Sequence, residues 1–165
     1  DILNLIKSLN KNLQNKVTLK YNTQGSNYIT DEIKKRFKQL NFIKTDLKKR
    51  GFELSCNYKL NIETVNSTGF LELLSLNIPV ILVTNKKFYN VEKKYQKYFN
   101  VLIKSNIIFF DVKKASNFIN NNINNLDEWW FNKNTQKKIN NFCENICKYE
   151  GDLDDGFNRI FNEIR

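Results

Sequence analysis

Four consecutive aliphatic residues, Val80–Val83, constrain the fold of this chain more than any other feature of its sequence. A strand with one face in water alternates apolar and polar side chains, whereas this run has no polar member between Pro79 and Thr84. Both faces of such a strand are buried, which is typical of a parallel sheet covered by helices on each side. Residues 107–110 form a second short run of the same kind.

The rest of the chain alternates between strand-like and helix-like patterns. Val17, Leu19 and Tyr21 alternate with polar residues, as do Leu60 and Ile62, and each group predicts a short strand. Apolar stripes at helical spacing predict helices near residues 2–13, 30–40, 69–76, 91–102, 117–125, 129–149 and 153–164. Strands that alternate with helices in this way form parallel sheets through right-handed crossovers. The predicted fold class is therefore α/β, a Rossmann-like open parallel sheet with helices on both faces.

The length of the chain bounds the number of domains. With 165 residues, of which 41% are hydrophobic, residues 1–165 are expected to form a single domain with a sizeable core. No apolar run approaches the roughly 20 residues that a membrane-spanning helix needs. Position 1 is an aspartate rather than an initiator methionine. We therefore expect the chain to be a fragment of a longer, two-domain protein.

Histidine is absent, and its absence excludes several kinds of site. A Ser-His or Cys-His nucleophile pair, a His-ligated zinc site and an imidazole general base all require that side chain. Cys56, Cys143 and Cys147 are odd in number and lack Cys-x-x-Cys spacing, which argues against a disulfide framework or a four-thiolate zinc site. We expect no metal, a reducing cytoplasmic location, and Cys143 and Cys147 as small buried apolar residues of one helix.

The net charge of +10 raises nucleic acid or an anionic membrane as partners. Almost all of the positive charge is lysine, however, because the chain has only four arginines, Arg36, Arg50, Arg159 and Arg165. Arginine is the better bidentate reader of phosphates and bases, and its scarcity favours a generally lysine-coated surface. The alternative function is a lysine-rich module that binds nucleic acid or another polyanion. A third hypothesis is a structural domain whose ligand site no longer works.

The candidate site is the loop between the strand near Ile62 and the helix that follows it. In open α/β sheets, ligands bind beyond the carboxyl ends of the strands, where helix N-termini present unpaired N–H groups. Ser67 and Thr68 add hydroxyl groups there, Gly69 lets a ligand approach the backbone, and Glu72 can accept hydrogen bonds from ribose hydroxyls. The alternative is that the hydroxyl residues only cap the helix and that Glu72 only complements its dipole.

The stretch 66–79, NSTGFLELLSLNIP, followed by the apolar strand, resembles the nucleotide-binding C-terminal half of GT-B glycosyltransferases. It is most similar to a group of transferases encoded in bacterial surface-carbohydrate loci, which share the Ser-Thr, Leu-Glu and Asn-Ile-Pro pattern. The order of the motifs agrees as well. The resemblance extends from about residue 17 to 149, through Tyr98-Phe99, Ile107-Ile108, Trp129-Trp130 and Phe142-Cys143.

This resemblance implies a domain that holds the nucleotide of an activated sugar, without a metal or other cofactor. It places Ser67, Thr68 and Gly69 near the phosphates and Glu72 near the ribose, and it includes Asn66 among the nucleotide-binding residues. It also implies a second, N-terminal Rossmann-like domain that binds the acceptor and supplies the base, so no catalytic residue is assigned here. The fragment alone is expected to be inactive, and peripheral membrane association is expected only through the full-length protein.

Lysines and tryptophans elsewhere in the chain are further candidates, and two of these groups have a second interpretation. The resemblance leads us to expect an arginine at the end of the first strand, where this chain has Lys20, and Lys20 and Lys86 are candidate phosphate contacts. Lys86, like Lys87, otherwise lies simply in solvent. Trp129 and Trp130 are either a platform for sugar stacking or, as their place before an apolar-striped helix favours, anchors of the core.

Overall fold

A computed structural model describes residues 2–21, 28–45 and 51–147 of the chain. These ranges contain the helices α1 (Ile2–Ser8), α2 (Lys11–Gln14), α3 (Tyr28–Arg36), α4 (Gly51–Ser55), α5 (Thr68–Ser75), α6 (Gln96–Lys104), α7 (Val112–Asn122), α8 (Leu126–Trp130) and α9 (Lys133–Ile146). They also contain the strands β1 (Thr18–Tyr21), β2 (Asn41–Lys44), β3 (Asn61–Glu63), β4 (Val80–Val83) and β5 (Ile108–Phe109). Two 3-10 turns lie at Lys86–Phe88 and Ile123–Asn125.

All strand pairs in the described ranges are parallel, so the predicted α/β class is confirmed. Strands β3, β4 and β5 form one sheet in that order, with Ile62 opposite Ile81 and Leu82 opposite Ile108. Strand β1 pairs with β2 in a separate two-stranded sheet. The sequence patterns do not predict β2. Its two apolar residues, Phe42 and Ile43, are neighbours and show no alternation, and they follow the stripe of α3 closely.

Alternate residues of β4 enter two different cores, which is why the strand is apolar throughout. Val80 and Leu82 belong to a cluster formed with α5, α6, α8 and α9, and both are fully buried. Ile81 and Val83 belong to a second cluster, formed with α1 and α7. The sheet is therefore covered on both faces, as the unbroken aliphatic run predicts. A third cluster joins α1 to α3 and the β1–β2 sheet.

The helices α5 and α6 end in the same way before they lead into buried strands. Asn77 and Asn106 follow their helices with positive φ values of 56° and 58°. The N–H of Ile78 bonds to the carbonyl of Leu73, and the corresponding 6→1 hydrogen bond closes the end of α6. These are Schellman motifs in which asparagine occupies the left-handed position that glycine usually takes.

Several predicted boundaries are wrong. The apolar stripe at residues 2–13 does not form one helix, because the chain turns at Asn10 between α1 and α2. The backbone N–H of Asn10 donates to Oδ1 of Asn120 on α7. The helix predicted near 30–40 is α3, which begins at Tyr28 and ends at Arg36. The end of the predicted 129–149 helix and the predicted helix at 153–164 lie outside the described residues.

Candidate functional site

Helix α5 begins just after β3, in the segment where the sequence predicts the site. Ser67 precedes the helix with an extended backbone, and its hydroxyl makes no capping hydrogen bond. The N–H groups of Thr68, Gly69 and Phe70 have no acceptor among the described residues. The interpretation of Ser67 as a side-chain cap is therefore wrong. The free N–H groups and the positive end of the helix dipole together suit an anion.

Gly69 lies in the first turn of α5, where the fold itself does not require glycine. Its φ is not positive, and a Cβ added there would meet only Oγ of Ser67, at an ordinary contact distance of 3.5 Å. Glycine lowers the stability of a helix relative to alanine. No contact among the described residues requires glycine at this position. Glycine leaves the backbone open at the place where the N–H groups are unpaired.

Two grooves lie beside α5 and the residues just before it, and Ile146 lines both of them. The first, which we name groove A, has a volume of about 360 Å³ and contains Asn66 in its wall. The second, groove B, has a volume of about 450 Å³ and is lined by Thr68, Leu71, Glu72 and Ser75 together with the end of α9. The structure thus brings Asn66, Thr68 and Glu72 to the walls of two adjoining grooves, both of the size usual for small-molecule sites.

The last turn of α9 supplies a wall that the sequence patterns do not predict. Asn145 lines groove A, and Cys147 lines groove B. Oδ1 of Asn145 accepts a hydrogen bond of 2.8 Å from the hydroxyl of Tyr98 on α6. Helix α9 packs against both α5 and α6. Only this tertiary packing brings residues near 145 beside residues near 70, although the Phe142-Cys143 motif indicated that the segment belongs to the family pattern.

The two half-buried cysteines of this wall interact with each other. Cys143 lies in α9 and Cys147 follows its last residue, and both pack against the first cluster. A hydrogen bond between the thiols lowers the pKa of Cys147 and raises that of Cys143, which burial raises further. The sulfur of Cys147 also lies 3.9 Å from the carbonyl of Leu71 on α5. They pack as predicted, but neither is fully buried.

Glu63 is a residue of the site region that the sequence analysis did not single out. It is the last residue of β3, and burial raises the pKa of its carboxyl above the ordinary value, while the charge of Lys20 lowers it in part. Lys20 lies on β1 and is exposed. The signal for Glu63 was present in the sequence, since it is an acid at the carboxyl end of a strand in an open α/β sheet.

Lys86 does not line either groove, nor does Lys20. Lys86 begins the 3-10 turn after β4, which Asn85 caps by accepting a hydrogen bond of 2.9 Å from the N–H of Lys87. Both lysines of this turn are exposed. They lie beyond the carboxyl end of β4, and their contact with a phosphate stays a prediction.

The two tryptophans serve as core anchors. Trp130 is fully buried in the first cluster, and its Nε1 donates to Oδ1 of Asn77 at 2.9 Å. Trp129 is partly buried, and its Nε1 donates to the carbonyl of Ser105 at 3.3 Å. They lie at the end of the short helix α8 rather than at the start of α9. Since the ring of Trp130 is enclosed, it is not a platform for a sugar.

Two further features of the described ranges bear on the site. Within residues 2–21, 28–45 and 51–147, no group of three or more Cys, Asp or Glu side chains is arranged to hold a metal ion. In the same ranges, every helix is too short or too polar to cross a membrane.

Comparison with known proteins gives one match. A family model described as LIC12162 family transferase matches residues 1–155. No curated protein and no solved structure matches the chain. The matched span includes both grooves and the whole of α5, so the candidate site lies inside the region that defines the family.

Proposed function

The chain belongs to the LIC12162 family of transferases, and we propose that it is the donor-binding domain of a GT-B-like glycosyltransferase of bacterial surface glycan biosynthesis. Its ligand is a nucleotide-activated sugar, bound without a metal or other cofactor. A second domain of the whole protein holds the acceptor and supplies the base. The chain described here then binds the donor in the cytoplasm but does not transfer the sugar by itself.

One observation carries this proposal. The unpaired N–H groups at the start of α5 closely follow Asn66, which lines groove A, and begin at Thr68, which lines groove B together with Glu72. A nucleotide sugar has a matching order of parts, because its phosphates lie between the nucleoside and the sugar. A ligand of this kind fits with its phosphates at the helix end and its two neutral parts in the two grooves.

Each residue of the loop has a role in this arrangement. The N–H groups of Thr68 and Gly69 donate to phosphate oxygens, and the hydroxyl of Ser67, which no described residue engages, adds a further donor. Glu72 is exposed in groove B, one turn into α5, where its carboxylate accepts from the two ribose hydroxyls. When the glycosidic bond breaks, the helix end stabilises the negative charge that develops on the leaving nucleotide.

The test is thermal unfolding of the chain in the presence of CMP, CDP, UDP, GDP or ADP. A nucleotide at about 100 times its dissociation constant adds about 2.7 kcal/mol, which raises the midpoint by several degrees in a domain of this size. Glu72→Ala should abolish the rise without moving the midpoint of the free protein, because Glu72 is exposed. Glu128→Ala is the matched control, since Glu128 is also exposed and lines neither groove.

Two results would contradict the proposal. If the same nucleotides leave the midpoint unchanged up to millimolar concentration, the chain has no donor site of its own. If DNA, RNA and heparin instead raise the midpoint in a way that falls steeply with salt, the lysine-rich polyanion module replaces the transferase domain. A rise that survives Glu72→Ala would retain nucleotide binding but remove Glu72 from the ribose.

A further inference from the structure

We infer that groove A takes an uncharged glycosyl group, held by the side-chain amides of Asn66 and Asn90. The position of this glycosyl group beside a phosphate site rests on the proposed function. The chemical class of the group is inferred from the residues that line groove A.

The lining of groove A combines amide, hydroxyl and apolar surface. Asn66, Asn90 and Asn145 present amide groups, each able to donate and to accept, and Tyr95 adds a phenol. Val91, Phe99 and Ile146 complete the wall with apolar carbon. A sugar ring has the same two kinds of surface, since its hydroxyl groups donate and accept while its C–H groups pack on apolar or aromatic carbon.

Charge in groove A disfavours an anionic ligand. No lysine or arginine lines it, and its one ionised side chain is the carboxylate of Glu92. Nζ of Lys94 lies 3.2 Å from that carboxylate and so partly balances it. Both side chains are well exposed, so their charges are screened by solvent. A phosphate placed here would meet a carboxylate instead of a cation, whereas a neutral polyhydroxyl group meets no such repulsion.

Two of the three amides are free to bind a ligand. Asn145 is already held in place, because its Oδ1 accepts from Tyr98 and its Nδ2 donates to the carbonyl of Asn141 at 2.7 Å. The amides of Asn66 and Asn90 make no hydrogen bond within the described residues, although both line the groove. Asn66 also immediately precedes Ser67, so a group bound by its amide lies next to the unpaired helix end.

A glycosyl group in groove A has two sources, the sugar of the donor or a sugar of the acceptor. The experiment separates them by calorimetric titration with matched probes. One arm compares UDP with UDP-glucose, GDP with GDP-mannose and ADP with ADP-glucose. The other arm titrates free glucose, galactose and N-acetylglucosamine, each with and without saturating UDP, GDP or ADP.

The decisive variant is Asn90→Ala, and the control is Asn100→Ala, an exposed asparagine of α6 that does not line groove A. If the donor is the source, a nucleotide sugar binds the wild type more tightly than its nucleoside diphosphate does. Asn90→Ala then weakens the nucleotide sugar about five- to tenfold, as expected for one hydrogen bond, and leaves the diphosphate within about twofold. If the acceptor is the source, the same variant weakens a free saccharide instead.

The outcomes distinguish the inference from the proposed function. Equal weakening of a diphosphate and its sugar conjugate by Asn90→Ala would overturn the inference, because groove A would then hold the nucleoside. No effect on any probe, or no binding of any sugar-bearing probe, would overturn it too. If no nucleotide binds the wild type but a free saccharide does so through Asn90, the proposed donor site fails and the assignment of groove A stands.

Discussion

Nε1 of Trp130 donates a hydrogen bond of 2.9 Å to Oδ1 of Asn77, a residue 53 positions earlier in the chain. The same N–H lies 3.2 Å from the backbone carbonyl of Asn77. Gln136 reinforces the pair, because its Nε2 donates both to Oδ1 of Asn77 and to the carbonyl of Trp130, at 3.1 and 2.7 Å. The Asn-Ile-Pro and double-tryptophan motifs are therefore two halves of one contact that joins the end of α5 to α8 and α9.

Because of this contact, replacing each of the two asparagines with positive φ by glycine should change the free energy of unfolding by different amounts. Both Asn77→Gly and Asn106→Gly relieve the left-handed backbone, since glycine adopts that conformation freely. Only Asn77→Gly removes side-chain hydrogen bonds, those from Trp130 and Gln136. It should therefore lower the free energy of unfolding by about 1 kcal/mol relative to Asn106→Gly. Urea denaturation of the two variants measures the difference. Equal midpoints would mean that the bond from Trp130 contributes nothing to stability.

Gly69→Ala should have opposite effects on stability and on binding. Alanine fits the first turn of α5 without a close contact, and it should raise the free energy of unfolding of the free protein by about 0.5–1 kcal/mol. The added methyl group obstructs a phosphate at the N–H groups, so the nucleotide-induced rise in the melting midpoint should shrink. Asn100→Ala, at an exposed position of α6 that lines neither groove, is the control. A more stable variant that binds nucleotide unchanged would contradict the predicted use of Gly69.

Tyr89→Phe should stabilise the protein. The hydroxyl of Tyr89 is buried and has no hydrogen-bond partner among the described residues, and burial raises the pKa of this phenol. Its ring packs edge-on against Phe110 at 4.8 Å between centroids, a contact that phenylalanine retains. Removing an unsatisfied hydroxyl should raise the free energy of unfolding by about 1 kcal/mol.

The control for that variant is Tyr98→Phe. The hydroxyl of Tyr98 donates to Oδ1 of Asn145, so its removal should lower the free energy of unfolding. Chemical denaturation of both variants checks the opposite signs. A loss of stability in Tyr89→Phe would show that its hydroxyl has a partner beyond the described residues.

Glu63 predicts a pH dependence with a definite sign. Burial raises its pKa in the folded protein above the ordinary value of 4.5, so the folded state favours the protonated carboxyl. The associated stability is present in full below pH 4.5 and is lost as the pH rises through the folded pKa. Glu63→Gln removes this loss, and its gain over the wild type should therefore be larger at pH 7 than at pH 4.

Stability curves of the wild type and Glu63→Gln between pH 4 and 8 test this prediction. Lys20→Met provides a second check, because the charge of Lys20 lowers the pKa of Glu63. Without that charge, the loss of stability should become larger and extend to higher pH. A difference between wild type and Glu63→Gln that is constant with pH would mean that Glu63 titrates normally.

The sequence predicted the centre of the fold and one side of the site, for local reasons. The unbroken aliphatic run of β4 predicts burial on both faces, and the segment around Gly69 predicts a helix start beside a strand end. Strand β2 was missed because a four-residue edge element with two adjacent apolar residues has no periodicity to detect.

The other side of the site was missed because it depends on packing between distant segments. Asn145 and Cys147 reach the grooves only because α9 packs on α5 and α6, and a stripe of apolar residues does not specify which helices it meets. The sequence also could not predict that the hydroxyl of Ser67 makes no capping hydrogen bond. A serine before a helix is compatible with capping and with ligand binding, and only its geometry separates them.

Ile146 belongs to the walls of groove A and groove B at once. Because one side chain forms part of both walls, a substitution of Ile146 changes the two grooves together. A binding effect measured on a variant at position 146 therefore cannot be assigned to one groove alone, whereas Asn66 and Glu72 each report on a single groove.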